Sequence, residues 1–271
     1  MKIEKLAIAV TFYFKQDRIQ YLKKIASQFS LLANKVLIHI FTSSDDADKK
    51  LLIKNAVNSH CSLDVKIHTP TYLGHPYLLT WSHFYIFREL FFGDQSITHF
   101  MYLEDDIYVT QKNIEYWLKS RDELRSSKVI PSFLRYEKKG EFDLYATDVL
   151  TRQRFDRLPR IKQSEFYYYI NLPDPYQGMY LLDRELMYEH LTGPSSIPEY
   201  SPWGIREKAA AGLTFINVPK GCFSRNFIGY DFRNKYIDPN SLIHHLPNNY
   251  VIKPGSPFAK NKVNELIFHE E

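Results

Sequence analysis

Three carboxylates follow directly after an apolar run. Residues 100–103 are apolar, and Glu104, Asp105 and Asp106 come next. The run predicts a buried strand with the acids at its carboxyl end. Adjacent carboxylates raise each other's pKa unless a cation lies between them, and oxygen ligands of this kind suit Mg²⁺ or Mn²⁺. The triplet therefore predicts a metal site, and a solvated turn is the simpler alternative.

The position of the triplet favours the metal. It follows the fourth strand of an alternating strand and helix pattern, and open α/β sheets bind their ligands at the carboxyl ends of their strands. A metal held there would bridge to diphosphate oxygens and neutralise the charge that builds up on a leaving group.

The elements that must position the acids are visible in the hydrophobic pattern. Strands are predicted at residues 5–11, 35–42, 63–68 and 99–103, and helices at 17–33, at 76–92 and after Thr110. This alternation predicts an α/β fold with a mostly parallel, Rossmann-like central sheet that is flanked by helices.

The pattern is less regular after residue 131. Residues 136–176 mix charged and aromatic side chains, which predicts an acceptor-side insertion or hairpin region over the site. Residues 177–191 predict a strand followed by a helix, and residues 201–218 a helix followed by a strand. Three residues mark the ends of this last helix, namely Ser201, Pro202 and Gly212.

The length of 271 residues suits one large domain or two small ones. We expect a single catalytic domain over residues 1–271. Its nucleotide-binding half would be residues 1–110, and its acceptor and catalytic half residues 111–250. Residues 251–271 are expected to form a peripheral tail, because they begin with a stretch rich in Pro, Lys and Asn.

The acids after this alternating half resemble the DxD motif of the GT-A class of nucleotide-sugar glycosyltransferases. They are similar to the Glu-Asp-Asp variant of the N-acetylglucosaminyltransferase I type. The resemblance covers about residues 5–250 and indicates no particular subfamily. It implies a GT-A fold in which Asp106 binds Mn²⁺ or Mg²⁺, while Glu104 and Asp105 contact ribose or metal-bound water.

Sugar transfer also needs a base for the acceptor hydroxyl, and an ionised Asp or Glu within hydrogen-bond reach can serve. Residues 202–207 resemble the Trp-Gly-x-Glu-Asp segment of inverting galactosyltransferases, which implies Glu207 as the base. Arg206 lies where that family has an acid. The alternative for Glu207 is a solvated side chain paired with Arg206 or Lys208. Two other acids are lesser candidates for the base, Glu199 and Asp183.

Two later segments carry weaker resemblances. Residues 176–185 resemble the segment in which a glycine, here Gly178, lets the backbone approach the donor sugar, although a simple turn would also use Gly. His244 and His245 lie where several GT-A enzymes have a further metal ligand. Adjacent residues on an extended chain point to opposite sides, so we expect only one of them to bind metal. A structural histidine is the alternative for either.

Fold analogy places the donor-nucleotide contacts on the loops after the first two strands and on the helix that follows the third. The expected residues are Thr11, Tyr13, Ser43 and Asp45 in the loops and His75, Trp81 and Arg88 at the helix. Arg88 as a surface charge and Trp81 as a core residue are the alternatives.

Composition excludes some functions. The net charge of +4 is mild and the basic residues are scattered, which argues against a nucleic-acid partner. Cys61 and Cys222 are the only cysteines, so a disulfide framework and a cysteine zinc site are excluded. No signal peptide or membrane span is predicted. We expect a cytoplasmic protein, with peripheral association with the inner membrane left open.

These observations predict a metal-dependent, inverting glycosyltransferase. It would move a sugar from a nucleotide-diphosphate donor, expected to be a UDP-hexose, to a hydroxyl of a glycan or lipid-linked glycan in polysaccharide or lipopolysaccharide synthesis. The alternatives are a retaining GT-A glycosyltransferase, a metal-dependent nucleotidyltransferase and a non-catalytic carbohydrate-binding protein. A nucleotidyltransferase would normally have a Gly-rich basic loop after the first strand, and residues 10–15 do not form one.

Overall fold

A computed structural model describes residues 2–59, 63–71, 74–199 and 203–270. The chain forms two compact units. The first unit consists of Lys2–Gln111 and Gly178–Leu213, and the second consists of Lys112–Gln177 and Thr214–Glu271. The expected single catalytic domain, with its halves 1–110 and 111–250, stays a prediction.

The helices and strands are listed here in chain order. The helices are α1 (Ile19–Leu32), α2 (Ala47–Val57), α3 (His83–Gly93), α4 (Gln111–Leu124), α5 (Arg184–Thr192), α6 (Ile205–Ala209) and α7 (Asn249–Ile252). The strands are β1 (Ile3–Phe12), β2 (Ala33–Thr42), β3 (Asp64–His68), β4 (His99–Glu104), β5 (Ile107–Tyr108), β6 (Ile130–Pro131), β7 (Leu134–Lys139), β8 (Asp143–Ala146), β9 (Gln153–Arg154), β10 (Arg160–Lys162), β11 (Tyr167–Ile170), β12 (Met179–Asp183), β13 (Asn226–Asp231), β14 (Tyr236–Ile237), β15 (Leu242–His245), β16 (Asn261–Lys262) and β17 (Ile267–Phe268).

The first unit contains a sheet with the strand order β12-β4-β1-β2-β3. The pairs β1–β2, β1–β4 and β2–β3 are parallel, and β12 runs antiparallel to β4. The predicted alternation of strands and helices over residues 3–104 is confirmed. The chain is an α/β protein with mixed sheets, so the expectation of a mostly parallel sheet is met only in part.

Hydrophobic burial explains why β1 lies inside this sheet. Its residues from Leu6 to Val10 are fully buried, as a strand covered on both faces requires. Helix α1 contributes an apolar face at helical spacing, formed by Leu22, Ile25, Ala26, Phe29 and Leu32. Strand β4 is equally apolar up to Leu103. The buried apolar part of β4 ends at Leu103, so the sequence determines that Glu104 is the first acid beyond it.

The second unit contains many short strands, of which the sequence pattern predicted only a hairpin region. Strands β7 and β8 form an antiparallel hairpin, and β11 pairs with both β10 and β13. Residues 136–176 are therefore largely structured, and their apolar residues belong to a core. This core includes Ala146, Val149, Phe155, Leu158, Ile170 and Leu172.

Two other expectations are wrong. The helix predicted from residue 201 is described only as the short α6, which ends at Ala209, and turns rather than a strand follow as far as residue 218. The predicted start at Ser201 and Pro202 lies outside the described residues. The C-terminal segment is not a peripheral tail, because β16 pairs with β8 and β17 with β9. The strands β16 and β17 are too short to show a hydrophobic period in the sequence.

Two further observations concern features expected from composition. No helix in the described part of the chain is long and apolar enough to cross a bilayer. Cys222 is a free, half-buried thiol, and Cys61 lies outside the described residues.

Candidate functional site

The first unit brings the ends of three parallel strands together. Thr11 near the end of β1 is in register with Phe41 of β2 on one side and with Glu104 of β4 on the other. The loops after β1 and β2 are joined as well, since the backbone N–H of Phe14 donates to the Ser43 hydroxyl at 3.1 Å. The acids thus lie at the carboxyl edge of the sheet, beside residues that were expected to contact a nucleotide.

Asp105 and Asp106 are buried and share one cation, Arg18. The Arg18 Nε and Nη2 atoms donate to the two carboxylate oxygens of Asp105 at 2.7 and 2.6 Å. Nη2 also donates to Asp106 Oδ2 at 2.7 Å. Burying two carboxylates is costly unless they are paired, and this two-pronged arginine contact provides the pairing. A side-chain cation therefore lies against these two acids, and the metal expected at Asp106 stays a prediction.

The electrostatics of Asp105 show the effect of burial. Burial raises the pKa of its carboxyl well above the usual range, the hydrogen bonds from Arg18 oppose this, and the charge of Asp106 adds to the rise. The ionised form of Asp105 is thus favoured by the nearby positive charge of Arg18. Such dependence is common at functional sites, although structural ion pairs also produce it.

Glu104 lies against the backbone of Gly178. The Glu104 N–H donates to the Gly178 carbonyl at 3.0 Å. Gly178 has φ of +69°, and a Cβ at this position would lie 2.9 Å from a Glu104 carboxylate oxygen and 3.0 Å from Ile107 Cγ1. Only Gly combines this φ with such a close approach. The close approach seen at Gly178 is to Glu104, and the expected approach to a donor sugar stays a prediction.

A buried hydroxyl lies close to the acids. Tyr102 of β4 is fully buried next to Thr11. Burial raises the pKa of its hydroxyl well above the usual range, and the charge of Glu104 adds to the rise. Tyr102 is therefore a neutral phenol.

Glu207 is a partly exposed residue of α6. Its Oε1 accepts from Arg206 Nε at 3.2 Å and from Nη2 at 2.8 Å. A Cβ on Gly204 would lie 2.5 Å from Glu207 Oε2, so the carboxylate folds back over the start of its own helix. Trp81 fixes that helix, because its indole N–H donates to the Ile205 carbonyl at 2.7 Å. The alternative role expected for Glu207, pairing with Arg206, is thus present, and catalysis by Glu207 stays a prediction.

The remaining nucleotide candidates have structural partners or lie in solvent. Arg88 Nη2 donates to the Leu191 carbonyl at the end of α5, at 3.0 Å. Asp45 pairs with Lys50 on the surface, and Tyr13 is half exposed. His75 caps a 3-10 turn by accepting from the N–H of Tyr77. Nucleotide contacts by any of these residues stay predictions.

His244 and His245 belong to the second unit, on β15. His244 Nε2 lies 2.9 Å from Asn248 Oδ1, and the ring stacks on Tyr136. His245 Nδ1 lies 2.6 Å from Glu137 Oε1. Glu137 is fully buried, and its other oxygen accepts from the backbone N–H of residue 251 at 2.7 Å. Metal binding by either histidine stays a prediction.

The acids suit a divalent cation in their chemistry. In the described ranges no group of three or more His, Cys, Asp or Glu side chains is arranged to hold a metal. Mg²⁺ sites at phosphate substrates, however, use one or two carboxylates, and the substrate supplies further oxygens. Asp106 is the acid expected to hold the metal, and Glu104 and Asp105 lie beside it in sequence at the same edge of the sheet.

Two residues that contact predicted site residues were not identified from the sequence, namely Arg18 beside Asp105 in the first unit and Glu137 beside His245 in the second. Arg18 was part of a predicted helix, and Glu137 was part of an irregular segment. One observation in the sequence could have indicated Arg18. The loop after β1 must adjoin the end of β4 in such a sheet, and the three acids there need a nearby cation. For Glu137 the sequence contained no comparable indication.

Comparisons with known proteins add no assignment. No protein-family model matches the chain, and the search of curated proteins returned no relative.

Proposed function

We propose that the chain is a metal-dependent glycosyltransferase of the GT-A type that uses a nucleotide-diphosphate sugar, expected to be a UDP-hexose. One observation carries the proposal. The half-buried Glu104 and the buried Asp105 and Asp106 lie at the carboxyl edge of β4 beside the end of β1, and the backbone of Gly178 contacts Glu104. Ligands of open α/β sheets bind at this edge.

The roles of the residues follow from their placement. Thr11 and Ser43 line the same edge and would contact the nucleotide, while Asp106 would hold Mn²⁺ or Mg²⁺. When bound, the metal would neutralise the charge that builds up on the diphosphate as it leaves the sugar. Glu207, which is partly exposed on α6, would take the proton of the acceptor hydroxyl, with inversion at the sugar carbon.

The acceptor, the location and the stereochemistry belong to the same proposal. The acceptor would be a hydroxyl of a glycan or a lipid-linked glycan, and the protein would act in the cytoplasm, with the membrane surface as one place of action. Analysis of the anomeric configuration of the product separates inversion from retention.

A thermal-shift panel of nucleotide sugars with and without Mn²⁺ tests the proposal. At a ligand concentration of about 100 times Kd, binding adds about 2.7 kcal/mol to the unfolding free energy. For a chain of this size that corresponds to a rise in Tm of roughly 5–10 °C. We expect such a rise for one nucleotide class, only with Mn²⁺ present.

Two variants sharpen this test. Asp106→Asn should lose the Mn²⁺-dependent shift, while Asp48→Asn on the exposed first turn of α2 makes the same chemical change and should keep it. A panel without any nucleotide response would remove the proposal. Glycan binding that ignores both EDTA and nucleotide would instead indicate a carbohydrate-binding protein, and pyrophosphate release would indicate a nucleotidyltransferase.

A further inference from the structure

Arg18 is not part of any expected site, yet it makes short polar contacts with two acids of the triplet. Its guanidinium donates three hydrogen bonds of 2.6–2.7 Å to Asp105 and Asp106. These contacts use both oxygens of Asp105 and Oδ2 of Asp106. The carboxylates that would hold a metal are thus already neutralised in part by a side chain.

We infer that Arg18 is a donor-binding residue that exchanges partners: without donor it pairs with Asp105 and Asp106, and with donor it pairs with the diphosphate. The inference rests on the proposed function. According to this inference, the Arg18 side chain couples metal binding to nucleotide binding.

The two sides of the ion pair differ in freedom to move. The Asp105 and Asp106 side chains are 8% exposed, and they follow β4, which lies between β1 and β12 in the sheet. The Arg18 side chain is 28% exposed and ends a 3-10 turn, Gln16–Arg18, in which no residue is buried. Beneath its guanidinium lies the ring of Tyr21, at 5.8 Å. Arg18 is therefore the partner that can leave.

Electrostatic repulsion from a bound metal would favour the departure of Arg18 from the acids. A divalent cation at Asp106 would lie within a few ångströms of the guanidinium, and like charges at that distance repel strongly away from bulk water. A diphosphate offers the guanidinium a new partner, because its oxygens match the planar fork of arginine as well as a carboxylate does. Metal alone would therefore bind weakly, and metal with diphosphate would bind tightly.

Mn²⁺ titration followed by electron paramagnetic resonance tests this, with UDP as the probe. Wild type, Arg18→Gln and Lys23→Gln are titrated with and without UDP. Lys23 is an exposed residue of α1, so its variant removes one positive charge without touching the acids. Melting curves of each variant confirm folding. A second variant, Arg18→Lys, keeps the positive charge and lacks the planar, two-pronged guanidinium.

We expect UDP to tighten Mn²⁺ binding by at least about tenfold in the wild type and in Lys23→Gln, within the usual range for coupled sites. In Arg18→Gln, Mn²⁺ alone should bind roughly fivefold tighter than it binds to the wild type. The tightening of Mn²⁺ binding by UDP should be smaller by at least about fivefold in this variant. Both quantities for Arg18→Lys should lie between those of the wild type and of Arg18→Gln. The Nε–H resonance of Arg18 should also shift when UDP and Mg²⁺ are added together.

The possible failures are distinct. If nucleotide and metal bind but the tightening by UDP is the same in Arg18→Gln as in wild type, Arg18 is a fixed counter-ion and the inference is overturned alone. If neither the wild type nor any variant binds a nucleotide in the presence of Mn²⁺, the proposed function falls together with the inference.

Discussion

The main-chain carbonyl of Gly178 accepts a hydrogen bond from the N–H of Glu104, and the Gly178 Cα faces the carboxylate of the same residue. This contact joins β12 to the end of β4, where the two strands run antiparallel. The position of the first acid is therefore set by a glycine that lies 74 residues later in the chain.

Gly178→Ala should disturb both stability and the site. An L-residue in the left-handed region costs about 1–2 kcal/mol, and the added methyl would force Glu104 or Ile107 to move. We expect an unfolding free energy that is lower by about 2–3 kcal/mol, together with weaker nucleotide and Mn²⁺ binding. Urea denaturation and the thermal-shift panel measure the two effects.

Gly140 supplies a matched control. Its φ of +71° is close to that of Gly178, but a Cβ there would meet nothing within 4 Å. Gly140→Ala should therefore show only the backbone cost and leave ligand binding unchanged. Equal losses of binding in both variants would mean that the contact with Glu104 does not position the site.

Glu207→Gln tests the proposed base. Removing a general base typically lowers turnover by 10²–10⁴-fold, so we expect kcat to fall by at least about 100-fold while the UDP-dependent thermal shift is kept. The rival acid Glu199 is tested in parallel as Glu199→Gln. Near wild-type turnover in the first variant and a large loss in the second would transfer the role to Glu199.

The site was predictable where its residues are local in sequence. The acids and the strand before them form one continuous segment, so their position at the carboxyl end followed from the apolar run. Arg18 reaches Asp105 across 87 positions of the chain, and no local pattern encodes such a contact. The acids alone therefore suggested a metal, whereas the structure supplies a guanidinium.

The fold was predictable in the first unit and not in the second for a related reason. Strands β1 and β4 each contain a continuous apolar run, and α1 between them has a clear helical period. In the second unit several strands have two to four residues, too few to show alternation. Their pairing is decided by the shared core rather than by local propensity.

The pH dependence of stability should include a term from His190. Burial lowers the pKa of its imidazole to about 3, from 6.5. As pH falls through 6.5 the unfolded chain takes up a proton that the folded chain refuses until about pH 3, so the unfolding free energy decreases with falling pH in that window. The slope is at most about 1.4 kcal/mol per pH unit.

His190→Asn removes this term and keeps an acceptor for the Ser195 hydroxyl, which lies 2.6 Å from His190 Nδ1. The substitution also lowers the unfolding free energy at every pH because packing is lost. The informative quantity is therefore how the difference in unfolding free energy between variant and wild type changes with pH. Between pH 7.5 and pH 5 this difference should move by about 2 kcal/mol in favour of the variant. Urea denaturation at both pH values measures it, and a constant difference would show that His190 titrates normally in the folded chain.

The C-terminal segment should matter for stability because Leu266 is a core residue. Leu266 is fully buried with Val263 and Ile267 in the core of the second unit, and its carbonyl accepts from the N–H of Gln153 at 2.7 Å. Leu266→Ala should lower the unfolding free energy by about 2–5 kcal/mol, as for other buried leucines. Ile252→Ala, at a position that is 68% exposed, should change it by no more than about 0.5 kcal/mol. Urea denaturation of both variants decides the matter, and equal, small effects would return residues 252–270 to the status of a peripheral tail.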